Sequence, residues 1–176
     1  MSRSEITKTV AARRLIAAAI QMLFRGDDSL AVHTVAMAAF RILRDLAKNR
    51  GLKHDLDLMI RPGMEKKVWG KLNNAANFLK HADRDPGEVL SLLPDEVNDT
   101  ILMIACTYYE LLGNRSTTEM RVLMVWYVSL HPDSLAEEAE PVMGDQFEAV
   151  SDTKSLPRSE QLAIGLTVLR RALGQT

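Results

Sequence analysis

The fold is decided by the segment EITKTVAARRLIAAAIQMLFR, which comprises residues 5–25. Its apolar side chains recur at helical spacing over a wide arc, formed by Ile6, Val10, Ile16, Ala17, Ile20, Leu23 and Phe24. A helix at the surface of a globular protein needs a narrower apolar stripe than this. We therefore predict a central helix that begins at about Glu5, after Ser4 as N-cap, and ends before Gly26.

Helical periodicity continues through most of the chain. Asp28 or Ser29 is suited to cap a second helix, which Gly51 is suited to end in a left-handed conformation. Ser116 or Thr117 is the predicted cap of a fifth helix. Beyond the first helix, we expect long helices at residues 29–50, 95–112, 117–130 and 159–174. A further long helix, the third, starts near residue 64 and reaches the segment 73–86. One or two helical turns are expected at 55–60.

The predicted fold class is therefore all-α, since signals for β-strands are nearly absent. We expect a single helical domain, residues 1–176, built as a bundle of five or six helices with largely antiparallel neighbours. Residues 134–155 are acidic and interrupted by Pro141 and Gly144. Their apolar residues keep no period, which predicts a partly ordered connector to the C-terminal helix.

The sequence lacks the patterns of a membrane span and of a signal peptide, and it has one cysteine. No stretch approaches the roughly 18 consecutive apolar residues of a membrane span, and the N-terminus MSRSEITKTV lacks the order of a signal peptide. We expect a cytoplasmic protein with no membrane contact. The one cysteine, Cys106, lies in the apolar run ILMIACTYY and is predicted to be a core residue.

Charge is nearly balanced over the whole chain but unevenly distributed along it. Residues 1–88 carry 16 Lys and Arg against 10 Asp and Glu, whereas residues 89–176 carry 6 against 13. This asymmetry indicates either a basic surface for an anionic partner or two halves that attract each other within the fold or a dimer. Because no dense basic run occurs, we favour the second interpretation.

The candidate site is centred on NNAANFLKHADRDP, residues 73–86. At 100° per residue, a helix continued to Arg84 places amide, imidazole and guanidinium groups on a stripe opposite the apolar face formed by Val68, Leu72 and Leu79. In one interpretation this stripe is a solvated helix face, and HADRDP is the turn that stops the helix. In the other, a second subunit or helix covers it. The polar residues of the candidate site are Asn74, Asn77, Lys80, His81, Asp83, Arg84 and, if the bundle brings it close, His33.

If covered, this polar stripe has the groups for two kinds of chemistry. Histidine titrates near neutral pH and can transfer a proton, while lysine and arginine complement phosphoryl oxygens. The alternative for His33 is a core histidine with satisfied hydrogen bonds.

Two resemblances bear on this site. The segments HTVAMAAFRILRDL and NNAANFLKHADRDP together resemble a family of bacterial all-helical proteins with a KHADRDP-type motif, over about residues 5–130. The Asn77-to-His81 spacing in a polar helix is distantly similar to the HEPN superfamily. That resemblance implies a helical bundle, commonly dimeric, with RNase or RNA-binding activity at the dimer interface.

The chain departs from the HEPN motif, which has Arg, four to six residues, and then His. Counting back from His81, the Arg would stand at Asn74, Ala75 or Ala76. The resemblance therefore extends to Asn77 and His81 alone, and it fits a catalytically silent relative that binds RNA or protein better than a ribonuclease.

Other chemistries have less support in the sequence. The cluster of His54, Asp55 and Asp57 has no second group at metal-ligand spacing, and neither a Gly-rich phosphate loop nor a GxSxG elbow occurs. We expect no metal, no cofactor and no DNA-binding motif. The pairs Tyr108-Tyr109 and Trp126-Tyr127 are typical of core and rim aromatics, with a small-molecule pocket as the alternative.

We thus expect a non-enzymatic helical interaction module, forming a homodimer, whose third helix contributes a polar contact surface around Asn77 and His81. The first alternative is a HEPN-like RNA-binding protein or ribonuclease that uses Asn77, Lys80, His81 and Arg84. The second is a small-molecule-binding protein with a pocket between helices.

Overall fold

A computed structural model describes residues 5–52, 65–81, 83–131 and 153–175, and these residues form an all-α bundle, as predicted. No strand occurs within those ranges. The described ranges contain six α-helices: α1 (Lys8–Arg25), α2 (Ser29–Asn49), α3 (Glu65–Lys80), α4 (Glu96–Leu111), α5 (Thr118–Leu130) and α6 (Arg158–Ala172). A short 3₁₀ helix, Thr153–Ser155, precedes α6. The predicted helical turns at 55–60 and most of the predicted connector, 134–152, lie outside the described residues.

Helix α1 is central, which confirms the prediction from its wide apolar arc. It packs against α2, α4, α5 and α6. Its buried side chains are Ala12, Ile16, Ala19, Ile20, Leu23 and Phe24. Helices α2, α4 and α5 complete the core around this face. None of the helices in the described part of the chain is long and apolar enough to cross a membrane.

The helix ends follow local chain chemistry. Gly26 and Gly51 both take left-handed conformations, with φ of 70° and 69°, after α1 and α2. Asp28 caps α2 by accepting a hydrogen bond from the backbone N–H of Ala31 at 3.0 Å. Thr117 caps α5. Gly26 and Gly51 were predicted to end these helices, and Asp28 and Thr117 were each one of two predicted caps, because these residue types satisfy backbone groups that a helix end leaves unpaired.

The predicted start of α1 was wrong. The helix begins at Lys8, and the hydroxyl of Thr7 accepts a hydrogen bond from the backbone N–H of Val10 at 3.2 Å. Ser4 lies outside the described residues. Threonine caps helices nearly as well as serine, so residue type alone does not choose between two hydroxyl residues three positions apart.

Helix α6 docks through aromatic residues of α1 and α5. The indole Nε1–H of Trp126 donates to the carbonyl oxygen of Gln161 at 2.8 Å. Trp126 also packs edge-on against Phe24, with ring centroids 5.1 Å apart. The phenyl ring of Phe24 lies directly against Gly165 of α6. The close approach of α6 to α1 therefore depends on glycine at position 165, which has no side chain.

A buried ion pair completes the docking of α6. Both terminal nitrogens of Arg158 donate to the Asp99 carboxylate, at 2.8 and 2.7 Å. The Asp99 side chain is only 2% exposed. Burial raises the pKa of Asp99 to about 6, and the hydrogen bonds from Arg158 oppose this by a smaller amount. The pair links the first turn of α4 to the first turn of α6.

Gly165→Ala should destabilise the protein. An added Cβ would lie 2.5 Å from Cδ1 of Phe24, and that ring is held against Trp126. We expect a loss of about 1–3 kcal/mol in the free energy of unfolding, measured by urea denaturation. Gly70→Ala is the matched control, because its Cβ would meet nothing within 4 Å and alanine favours helix by up to about 1 kcal/mol. Equal effects of the two substitutions would contradict this packing.

The raised pKa of Asp99 predicts a pH dependence of stability. The folded protein retains this proton at a pH where the unfolded chain has released it. The stabilisation is therefore fully present below about pH 4 and lost as pH rises through about 6. The unfolding free energy of the wild type minus that of Asp99→Asn should rise by up to about 3 kcal/mol between pH 7 and pH 4. A difference that falls over this range would show that pairing with Arg158 outweighs burial.

Candidate functional site

Helix α3 ends at Lys80, within the predicted site. The backbone N–H of His81 still donates to the carbonyl of Asn77, at 3.1 Å. Beyond it the chain turns, because the N–H groups of Arg84 and Asp85 both donate to the carbonyl of His81, at 2.8 and 3.3 Å. Arg84 is therefore not on the helical stripe, where a helix continued to that residue would have placed it. The turn that begins at His81 therefore ends the helix.

The remaining residues of the predicted site lie at the surface. Asn74, Asn77 and Lys80 are exposed on α3, and His81 is half-buried at its end. Asp83 and Arg84 are exposed on the turn. Within the described parts of the chain, none of these six side chains makes a hydrogen bond or ion pair. The face of α3 that carries Asn74 and Asn77 is solvated in the single chain.

His33 is separate from this surface. It is only 6% exposed, with Nδ1 2.9 Å from Oδ1 of Asn98 and Nε2 3.1 Å from the carbonyl oxygen of Leu72. Leu72 precedes Lys80 by eight residues, which is about 12 Å along an α-helix. The structure therefore does not bring His33 and His81 together. His33 joins α2 to α3 and α4 as a core histidine.

Both ring nitrogens of His33 face oxygen atoms. The amide nitrogen of Asn98 donates to the carbonyl and the hydroxyl of Ser29, at 3.1 and 3.2 Å, which directs Oδ1 of Asn98 toward the imidazole. The Leu72 carbonyl can only accept. A ring protonated on both nitrogens donates to both oxygens, whereas a neutral ring donates to one. This polar cluster connects α2, α3 and α4.

A small cavity lies beside the His33 cluster. Lys71 and Asn74 of α3 line it together with His33, and residues 90–93 form its opposite side. Its volume of about 20 Å³ holds roughly one water molecule. It is too small for a substrate. The cavity also shows that residues 90–93 run back along α3 after the turn.

The last turn of α3 and the segment after the turn expose large apolar side chains. Leu79 is 49% exposed, Val89 is 87% exposed and Leu92 is 60% exposed. Leu79 belongs to the apolar face predicted for α3, but its side chain, on the last turn of the helix, is half exposed. Among the described residues, the other exposed large hydrophobic side chains are Ile6 and Leu111.

The backbone of residues 89–93 forms no hydrogen bond with other described residues. Flanking bonds exist, from the N–H of Glu88 to Asp85 and from that of Val97 to Pro94. Across the described residues, no backbone group of residues 89–93 makes a hydrogen bond to protein. The segment thus offers free donors and acceptors next to exposed apolar side chains.

We call this region the α3-end surface. It consists of three apolar residues, two basic residues and three acidic residues: Leu79, Val89, Leu92, Lys80, Arg84, Asp83, Asp85 and Glu88. All eight side chains are exposed. Sequence reasoning found its charged members but missed Val89 and Leu92. Their signal was two aliphatic residues in a segment too short and too interrupted to form a helix.

The other candidate sites are mostly core. Tyr108, Tyr109 and Trp126 are buried, in agreement with core aromatics. Tyr108 also contributes to the wall of a cavity of about 550 Å³ near Arg44, so a small-molecule pocket stays a prediction. Cys106 is fully buried, as predicted, and burial raises the pKa of its thiol above the usual range.

No group of three or more His, Cys, Asp or Glu residues in the described ranges could hold a metal ion, and His54, Asp55 and Asp57 lie outside those ranges. No protein-family model, curated protein or solved structure matches this chain. The resemblances to the KHADRDP-type family and to HEPN proteins therefore stay predictions.

Alanine substitution of the two histidines of the predicted site should change the free energy of unfolding by very different amounts. His33→Ala removes a buried imidazole whose ring nitrogens lie 2.9 and 3.1 Å from oxygen atoms, and it leaves the Asn98 amide oxygen and a cavity behind, which should cost about 2–4 kcal/mol of unfolding free energy. His81→Ala, at a half-buried position without a side-chain hydrogen bond in the described structure, should change it by less than about 0.5 kcal/mol. Urea denaturation measures both values. A neutral His33→Ala would contradict the structural role of this residue.

Proposed function

We propose that this protein is a helical interaction module that binds another protein chain through the α3-end surface. The observation that carries the proposal is the exposure of Leu79, Val89 and Leu92, on the last turn of α3 and on the segment that follows the turn. Exposed large apolar residues beside charged groups are typical of protein–protein contact sites. Here the charged groups are those of the turn.

The unpaired backbone of residues 89–93 supports the same proposal. Backbone donors and acceptors that already face water lose little when they exchange water for a partner chain. Leu90 and Leu93 are half-buried and line the small cavity beside His33, so this segment is positioned next to α2 and α3 before any partner binds. A pre-positioned segment loses less conformational entropy on binding than a free chain does.

The charges of the α3-end surface favour a protein partner over RNA. Lys80 and Arg84 alternate with Asp83, Asp85 and Glu88, so the surface has no excess of positive charge. Binding to a phosphate backbone depends on a net positive surface that displaces counterions. RNA binding through Asn77, Lys80, His81 and Arg84 would have to overcome three neighbouring carboxylates.

Photocrosslinking tests the proposal. With p-benzoylphenylalanine in place of Val89, irradiation of cells that express the full chain should give covalent protein adducts. The matched control places the same group at Ala163, an exposed position on α6. We expect several-fold more adduct at residue 89, resistant to nuclease and sensitive to protease. Equal yields at the two positions, or adducts destroyed by nuclease, would contradict a protein-binding surface.

A further inference from the structure

The α3-end surface carries charges of both signs that form no ion pair with any other described residue. Lys80 and Arg84 are exposed, as are Asp83, Asp85 and Glu88. In the part of the chain that the structure describes, none of these five forms an ion pair, although Arg158 and Arg25 do so elsewhere. A surface with unpaired cations beside unpaired anions is complementary to itself.

Self-complementarity is the condition for a two-fold symmetric dimer. In such an isologous interface, the same patch of each subunit meets the other after a rotation of 180°, so each basic residue can meet an acidic residue of the second copy. The apolar members satisfy the same condition, since Leu79, Val89 and Leu92 are all aliphatic. A heterologous partner would require no such balance.

The backbone of residues 89–93 is also compatible with two-fold pairing. Its sequence, Val-Leu-Ser-Leu-Leu, is aliphatic on both sides of Ser91 in either chain direction. Two copies that run antiparallel therefore place aliphatic residues beside aliphatic residues around Ser91. Pro86 and Pro94 flank the segment and limit the backbone that takes part, because proline lacks an N–H donor.

We infer that the partner at the α3-end surface is a second copy of this chain, bound across a two-fold axis. Val89 and Leu92 of each copy form the apolar centre, and Lys80 and Arg84 of one copy face Asp83, Asp85 and Glu88 of the other. This inference rests on the proposed function and specifies its partner. It also gives a physical reason for a turn that exposes both aliphatic and oppositely charged side chains.

The first test is the mass in solution of the full chain, measured by sedimentation velocity from low to high micromolar concentration. We expect a species of twice the chain mass of 19.7 kDa. Val89→Asp combined with Leu92→Asp should weaken self-association about tenfold or more, because two carboxylates would be buried at the centre. Ile6→Asp is the control at an exposed apolar position outside the surface. A wild-type monomer throughout, or a dimer insensitive to the double substitution, would overturn the inference.

A charge-swap experiment keeps the inference testable if the double aspartate variant does not fold. One variant carries Lys80→Glu and Arg84→Glu, and the other carries Asp83→Lys, Asp85→Lys and Glu88→Lys. Each alone should self-associate more weakly than the wild type, and their mixture should regain the dimer. All substituted positions are exposed, so circular dichroism should show unchanged helix content. A mixture that stays monomeric while the wild type is dimeric would overturn the two-fold contact.

The two proposals fail in different ways. If the wild type is monomeric but the group at residue 89 crosslinks to a different protein, the second copy is excluded and the protein-binding function stands. If residue 89 gives no adduct above the control at residue 163, both proposals are overturned.

Discussion

The attachment of α3 to α2 is the constraint on which the candidate surface depends. Trp69 stacks on Phe40 with ring centroids 5.5 Å apart, and the guanidinium of Arg44 lies 4.7 Å from the Trp69 ring. The Arg41 side chain donates to the side-chain oxygen of Asn73 at 2.9 Å. With the His33–Leu72 hydrogen bond, these contacts span residues 33–44 of α2 but only residues 69–73 of α3. That is about 16 Å along one helix and about 6 Å along the other, so the two helices cross rather than run side by side.

Crossing explains why the end of α3 is available for binding. The helix continues for about two turns beyond its contact with His33, and there Leu79 is half exposed. The chain then turns at His81, and Val89 and Leu92 are exposed on the segment that follows. Helix α6 differs, because it is held by the Asp99–Arg158 pair and by Trp126. Helix α6 is thus fixed to the core by these contacts, whereas the end of α3 carries an exposed apolar side chain.

Much of the fold could be predicted from local patterns. Apolar periodicity located the long helices, and the residue types at Gly26, Asp28 and Gly51 gave their boundaries, because helix ends impose chemical demands on single residues. Periodicity reports which face of a helix is apolar but not how far its neighbour extends, which is why the half exposure of Leu79 could not be read from the sequence. The partner of Asp99 lies 59 residues away at Arg158, and an acidic residue in a first helical turn has a local explanation that hides such a contact.

The predicted site residues were only partly assembled by the fold. His33 and His81 share a residue type but belong to a buried polar cluster and an exposed turn, which helical geometry within one segment cannot distinguish. The charged residues from Lys80 to Glu88 were visible in the sequence as candidates. Their meaning depends on Val89 and Leu92, since charges beside exposed aliphatic residues indicate a protein contact, whereas charges alone are usually solvated.

The central claim is that the α3-end surface binds a second copy of the chain, and hydrogen–deuterium exchange of the wild-type protein tests it most directly. The amides of residues 89–93 lack hydrogen-bond acceptors in the described single chain, so they should exchange rapidly at low protein concentration. At high concentration, peptides covering residues 86–98 should exchange more slowly, while peptides from α1 remain unchanged. Exchange in residues 86–98 that is the same at both concentrations would contradict the account.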